Sequence, residues 1–134
     1  MEGRIGYEFD HIHIMCTDPA ATERWFIDGI GADLVGRYDS LGTQITKLRL
    51  AGIEILLRPA RPGERLEVAP VPRYGEEHFG LRVSDLDATA AALRTRGVIF
   101  DLEPRDFGPA SRIAFVRGPD NLRIELVERK ATSV

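Results

Sequence analysis

Over residues 7–15 polar and apolar positions alternate, with Ile12 and Ile14 on one side and Phe9, His11, His13 and Met15 on the other. A period of two is that of a half-buried strand, so this segment is predicted to be one. Asp18 followed by Pro19 marks a helix start, and residues 20–30 are predicted as a helix closed by Gly29 and Gly31. Three strands are expected next, at 34–38, 44–50 and 53–58, parted by the turn sequences Asp39-Ser-Leu-Gly42 and Ala51-Gly52. The first half reads βαβββ.

Residues 59–72 hold Pro59, Pro62, Gly63, Pro70 and Pro72, a composition suited to an extended connector. The pattern then restarts. A strand is predicted at 78–83, a helix capped by Ser84 or Asp85 and stopped by Gly97, and a strand at 98–102. A loop is expected over 103–111, then a hairpin of strands 112–117 and 122–128 around Gly118-Pro-Asp-Asn121. The expected fold class is therefore α+β. Two βαβββ modules share one domain, 1–134, with module one at about 7–58, a linker at 59–74 and module two at about 75–129.

The halves also echo each other in chemistry. His11 stands seven residues before Asp18, and His78 stands seven before Asp85. Glu54 lies in Gly52-Ile-Glu-Ile and Glu125 in Arg123-Ile-Glu-Leu. Side-chain parity puts His11, Glu54, His78 and Glu125 on the strand faces opposite the apolar layer that the helices would cover. A single His on a strand is commonly structural, but the same residue types repeated in both halves point to a metal site. Two imidazoles and two carboxylates suit Ni, Co, Zn, Mn or Fe better than calcium, and an octahedral ion would keep two positions open for vicinal substrate oxygens. His13 shares His11's face as either a pocket residue or a structural imidazole. Arg58, Arg82 and Arg123 share parity with their strands' candidate ligands, so they reach an anionic substrate, pair with the site's carboxylates or face solvent. Trp25 and Phe26 are expected in the core.

Composition narrows the function classes. With 134 residues, 43% hydrophobic and 29% charged, the chain has enough material for one core and too little for two. A net charge of −3 argues against a nucleic-acid surface. The apolar run at 53–57 is far short of the roughly 20 residues a membrane helix needs. Cys16 is the single cysteine and makes no internal disulfide, and no signal-like segment opens the sequence, so the cytoplasm is the expected compartment.

The phrases Asp10-His11-Ile, Thr17-Asp18 and Trp25-Phe26, then residues 78–87, Gly97-Val98 and 114–126, resemble the vicinal oxygen chelate superfamily, which includes glyoxalase I, methylmalonyl-CoA epimerase, extradiol dioxygenases and bleomycin-resistance proteins. The resemblance implies a cupped, partly closed mixed sheet with flanking helices, metal ligands at His11, Glu54, His78 and Glu125, and a homodimer. Glu at position 54 is similar to glyoxalase I-like members. It implies a divalent-metal-dependent isomerase or lyase that moves a proton through a metal-bound enediolate on a small anionic or thiol-conjugated substrate, with Glu125 as general base and Glu54 second. Met15 and Arg58 depart from the Arg and Asn of bacterial glutathione-using relatives, so glutathione is not implied. The epimerase, the dioxygenase and a non-enzymatic drug-binding protein are the alternative readings. Substrate choice is expected to lie in loops 61–74 and 103–111.

Overall fold

The computed structural model describes residues 3–130. The first half forms a four-stranded sheet of β1 (His11–Met15), β2 (Asp33–Ser40), β3 (Thr43–Leu50) and β4 (Ile53–Arg58), ordered β1-β4-β3-β2. The second forms a matching sheet of β5 (Phe79–Arg82), β6 (Ile99–Asp106), β7 (Ser111–Arg117) and β8 (Arg123–Arg129), ordered β5-β8-β7-β6. In each sheet the first strand lies parallel to the last and the other pairs are antiparallel. The expected pair of βαβββ modules is present, with β1 and β5 each at a sheet edge.

The helices start where the repeat places them. Asp18 caps α1 (Pro19–Arg24) by accepting from the Ala21 amide at 3.2 Å, and Asp85 caps α2 (Leu86–Thr95) by accepting from the Ala88 amide at 3.1 Å. After Arg24 the helix widens into a π turn, Trp25–Ile30, which ends at Gly31 in the left-handed region (φ 101°).

Beyond one-residue differences in β7 and β8, strand boundaries depart from expectation at β1, the β2/β3 hairpin, β6 and β5, the first three with a backbone cause. Residues 7–10 alternate like a strand, yet β1 begins at His11, because its partner β4 starts at Ile53 and offers no backbone further back. The β2/β3 hairpin turns through Leu41 (φ 52°) and Gly42 (φ 77°), a two-residue turn tight enough for the strands to run up to Ser40 and Thr43. β6 continues through the predicted loop to Asp106; Pro104 falls in a register shift between Leu102 and Arg105 of this edge strand, where no ladder donor is required. β5 begins at Phe79, so His78 sits just ahead of it.

One hydrophobic core serves both modules. Phe26, Leu48, Ile55 and Leu57 from the first join Leu86, Val116, Ile124 and Leu126 from the second. Each fully buried side chain of this size contributes about 1.5–3 kcal/mol relative to exposure. The modules meet on their helix-covered sides: Arg96 Nη1 donates to the Gly29 carbonyl at 3.2 Å, and the Trp25 ring lies against Gly118. The opposite sheet faces, which carry the candidate ligands, remain outside this core. Among the described residues no helix is long and apolar enough to cross a membrane.

Candidate functional site

In the first module His11 on β1 lies directly opposite Glu54 on β4. Ile53 and Ile55 beside Glu54 pack with the core, so the carboxylate emerges on the other face as parity requires. It is not bare: Arg49 Nη2 stands 3.2 Å from Oε1 and Lys47 Nζ 3.5 Å from Oε2. His11 Nδ1 is 2.6 Å from Asp10 Oδ2. His13, opposite Leu56, has its ring centroid 6.3 Å from that of His11. Partial burial, then the charge of Arg58, depresses its basicity. Arg58 is committed to the linker, with Nη1 donating to Glu64 Oε1 at 2.7 Å and Nη2 to Oε2 at 3.2 Å.

In the second module His78 Nε2 lies 3.6 Å from Glu125 Oε1. Gly80 stands opposite Glu125, and a Cβ there would lie 3.7 Å from Oε1, in ordinary van der Waals contact with the carboxylate. On its other side His78 turns Nδ1 to Glu77 Oε1 at 3.0 Å. Arg123 also bonds Glu77 and stacks over Phe115, 4.4 Å from the ring centroid. The His78 hydrogen bond, followed by the Arg123 charge, holds the Glu77 carboxyl below the usual range against its own desolvation. Arg82 is exposed.

The sequence echo is not a structural one throughout. The Cys16 amide donates to the Arg58 carbonyl and the Val83 amide to the Val127 carbonyl, both two residues before the helix caps. These bonds align His11 with His78 and His13 with Gly80, but they align Glu54 with Arg123 and Leu56 with Glu125. The carboxylates are therefore displaced by two residues between the modules. His11 faces its Glu squarely, whereas His78 meets Glu125 on the diagonal.

The histidines and carboxylates form two pairs rather than one cluster. Among the described residues, no three His, Cys, Asp or Glu side chains come together within one chain in a way that could hold a metal ion. Each pair has a suitable donor set of one imidazole and one carboxylate. The 3.6 Å between His78 Nε2 and Glu125 Oε1 is near the ~3 Å that separates neighbouring ligands on an ion at about 2.1 Å.

A cavity of about 870 Å³ opens beside the edge of β1, walled by the linker and by the start of the second module. This size suits a drug-sized organic molecule. His13, His78 and Arg123 line it together with Ile14, Leu66 and Phe79, while His11, Glu54, Arg58, Arg82 and Glu125 stand outside its wall. Residues 64–69 of the expected substrate-selecting loop contribute to the lining; 103–111 do not. Glu77, Phe115 and the linker's Glu64 were not singled out from sequence. The one available signal was the acid that precedes each histidine.

Residues 8–126 match the family model described as the glyoxalase/bleomycin resistance protein/dioxygenase superfamily. The chain belongs to that superfamily. Several solved structures share its fold. A glyoxalase/bleomycin resistance protein/dioxygenase domain from Frankia sp. EAN1pec is 20% identical with a TM-score of 0.78, the alignment covering 94% of each chain. A glyoxalase family protein from Bacillus cereus is 19% identical with a TM-score of 0.77, covering 98% of this chain and 99% of the other. TnmS3, an antibiotic binding protein from Streptomyces sp. CB03234, is 19% identical with a TM-score of 0.70, covering 95% and 99%. No curated protein matches this chain. One fold is thus shared with a protein named for antibiotic binding and with proteins named for glyoxalase and dioxygenase families, so fold alone does not fix the activity.

Proposed function

We propose that the chain is a divalent-metal-dependent isomerase or lyase of the glyoxalase I-like type, acting as a cytoplasmic homodimer on a small anionic or thiol-conjugated substrate. The observation that carries this reading is the division of ligand-type residues into two His/Glu pairs, one on the outer face of each sheet and each beside an edge strand. One chain offers two half-sites; two chains that exchange complementary halves make two sites of four donors. Unpaired edges at β1 and β5 favour such an association, as does the exposed apolar stripe Ile5, Tyr7 and Phe9 just ahead of β1.

His11, Glu54, His78 and Glu125 would hold the ion, one of Ni, Co, Zn, Mn or Fe. A bound ion would supply Lewis acidity toward two neighbouring substrate oxygens and so acidify the adjacent C–H. Glu125 takes that proton as general base. Among the described residues it has no Lys or Arg partner, whereas Lys47 and Arg49 restrain Glu54. His13 and Arg123 line the cavity that receives the rest of the substrate, with the Arg123 guanidinium suited to an anionic group. Arg58 is held by Glu64 and serves the linker more directly than the substrate.

Elemental analysis of the purified chain, with a deuterium-exchange screen of hemithioacetals and acyl-CoA thioesters, tests this reading. Glu125→Gln should keep most of the metal and lose solvent exchange of the substrate proton; full exchange in that variant removes Glu125 from the role. For sites shared between chains, His11→Ala and His78→Ala are each inactive as homodimers, and co-expression restores one intact site per mixed dimer. Absence of any restoration sinks the shared site.

A second reading is favoured by the cavity and by the lack of a three-ligand cluster within the described residues of one chain: a binding protein for an organic ligand, as TnmS3 is for an antibiotic. Metal-free protein that catalyses no exchange yet binds an amphipathic drug-sized ligand would establish it.

A further inference from the structure

An acidic residue immediately precedes each candidate histidine, and in both modules it reaches the ring's Nδ1: Asp10 at 2.6 Å from His11 and Glu77 at 3.0 Å from His78. The two contacts differ in setting. The Asp10 side chain is 90% exposed, so water competes for it, whereas Glu77 is 24% exposed and fixed from behind. Arg123 bonds the same Glu77 oxygen, its guanidinium stacks on Phe115, and Phe115 meets the His78 ring edge to face at 4.8 Å and 89°. Glu77, Arg123, Phe115 and His78 thus close a ring of contacts in which each side chain limits the next.

A carboxylate can only accept, so its bond to His78 requires the proton to be on Nδ1. The lone pair is then on Nε2. That nitrogen is aimed toward Glu125 at 3.6 Å, too far for a hydrogen bond to occupy it. We propose that Glu77 is a positioning residue that holds His78 in the Nδ1–H tautomer and presents Nε2 as the donor atom of the second half-site. This role rests on the metal-site reading above, and it corresponds to the outer carboxylates that orient histidine ligands in metal sites generally.

Long-range proton–nitrogen correlation spectra of the ¹⁵N-labelled, metal-free chain, recorded where imidazole is neutral, report which ring nitrogen carries hydrogen. His78→Gln identifies the resonances. In the wild type His78 should carry hydrogen on Nδ1, and in Glu77→Ala the population should move to Nε2–H. Glu77→Gln, which keeps an acceptor oxygen in place, should recover most of the wild-type pattern. Zinc titration should show an affinity loss of about 10–100-fold for Glu77→Ala. An Nε2–H tautomer in the wild type overturns the proposal, as does a tautomer unchanged in Glu77→Ala. If that variant fails to fold, the wild-type and Glu77→Gln spectra still decide. Failure of the wild type to bind zinc while the tautomer result holds overturns the metal reading, not the hold of Glu77 on His78.

Discussion

Thr17 gives both its amide and its hydroxyl to Asp120, at 2.9 and 2.8 Å, joining the end of β1 to the β7/β8 turn across 103 residues. Asp120 holds a left-handed backbone (φ 56°), a conformation that Asp and Asn tolerate better than most residues. Asp120→Ala should destabilise the fold by about 1–2 kcal/mol, read as a lowered urea midpoint. Asp120→Asn, which keeps an acceptor and the backbone tolerance, should recover much of that loss. Equal midpoints for the Ala variant and the wild type would show that this clasp contributes nothing.

A Cβ on Gly118 would lie 2.9 Å from Trp25 Cζ2 and 3.0 Å from two further ring atoms. Gly118→Ala should cost about 1–3 kcal/mol through overpacking. Trp25 is the only tryptophan, so its emission should shift in the same variant. Adding Trp25→Phe removes the crowding ring and should make the pair less destabilised than the sum of the two singles. Strict additivity would contradict the contact.

Hydrogen bonding from Arg58, then from the Arg61 amide, lowers Glu64 to about 2. A depressed carboxylate stabilises the fold above its ordinary value of 4.5, and this contribution fades as pH falls toward about 2. Melting temperatures of the wild type and Glu64→Gln should therefore differ above pH 4.5 and converge on acidification. A gap that is constant down to pH 2 would count against the pairing.

Burial, the largest influence, pushes the Cys16 thiol up to about 11, and the residue is 4% exposed. The native protein should resist alkylation at mildly alkaline pH and be labelled rapidly once unfolded. Because the folded value exceeds the ordinary 9.0, the thiol's contribution to stability is complete below pH 9 and lost as pH rises through about 11. Fast labelling of folded protein would refute this.

Much of the fold is legible in period and punctuation. Ile53 to Arg58 matched its strand at both ends, because Gly52 and Pro59 bound it; the Asp18 cap was visible from the Pro19 that follows it, while the second cap, left between Ser84 and Asp85, falls on Asp85. Pairing register was not legible. The phrases around Glu54 and Glu125 look alike, but the ladder is set by backbone bonds to strands some 40 residues away, and local similarity carries no record of it. The same limit explains residues 7–10, whose alternation outlasts the partner strand. Parity correctly separated Glu54 and Glu125 from the buried Ile55 and Ile124, because that distinction is local. The cavity wall from the linker was hidden, since a proline-rich stretch shows where regular structure stops but not what the chain folds over.

The two-residue displacement of the carboxylates makes the two modules chemically distinct. The matching backbone bonds carry histidine onto histidine between the repeats, but they carry Glu125 onto Leu56 and Glu54 onto Arg123. Matching backbone positions thus present a carboxylate in one module and an aliphatic or cationic group in the other, so a substitution made in one module has no counterpart in its repeat.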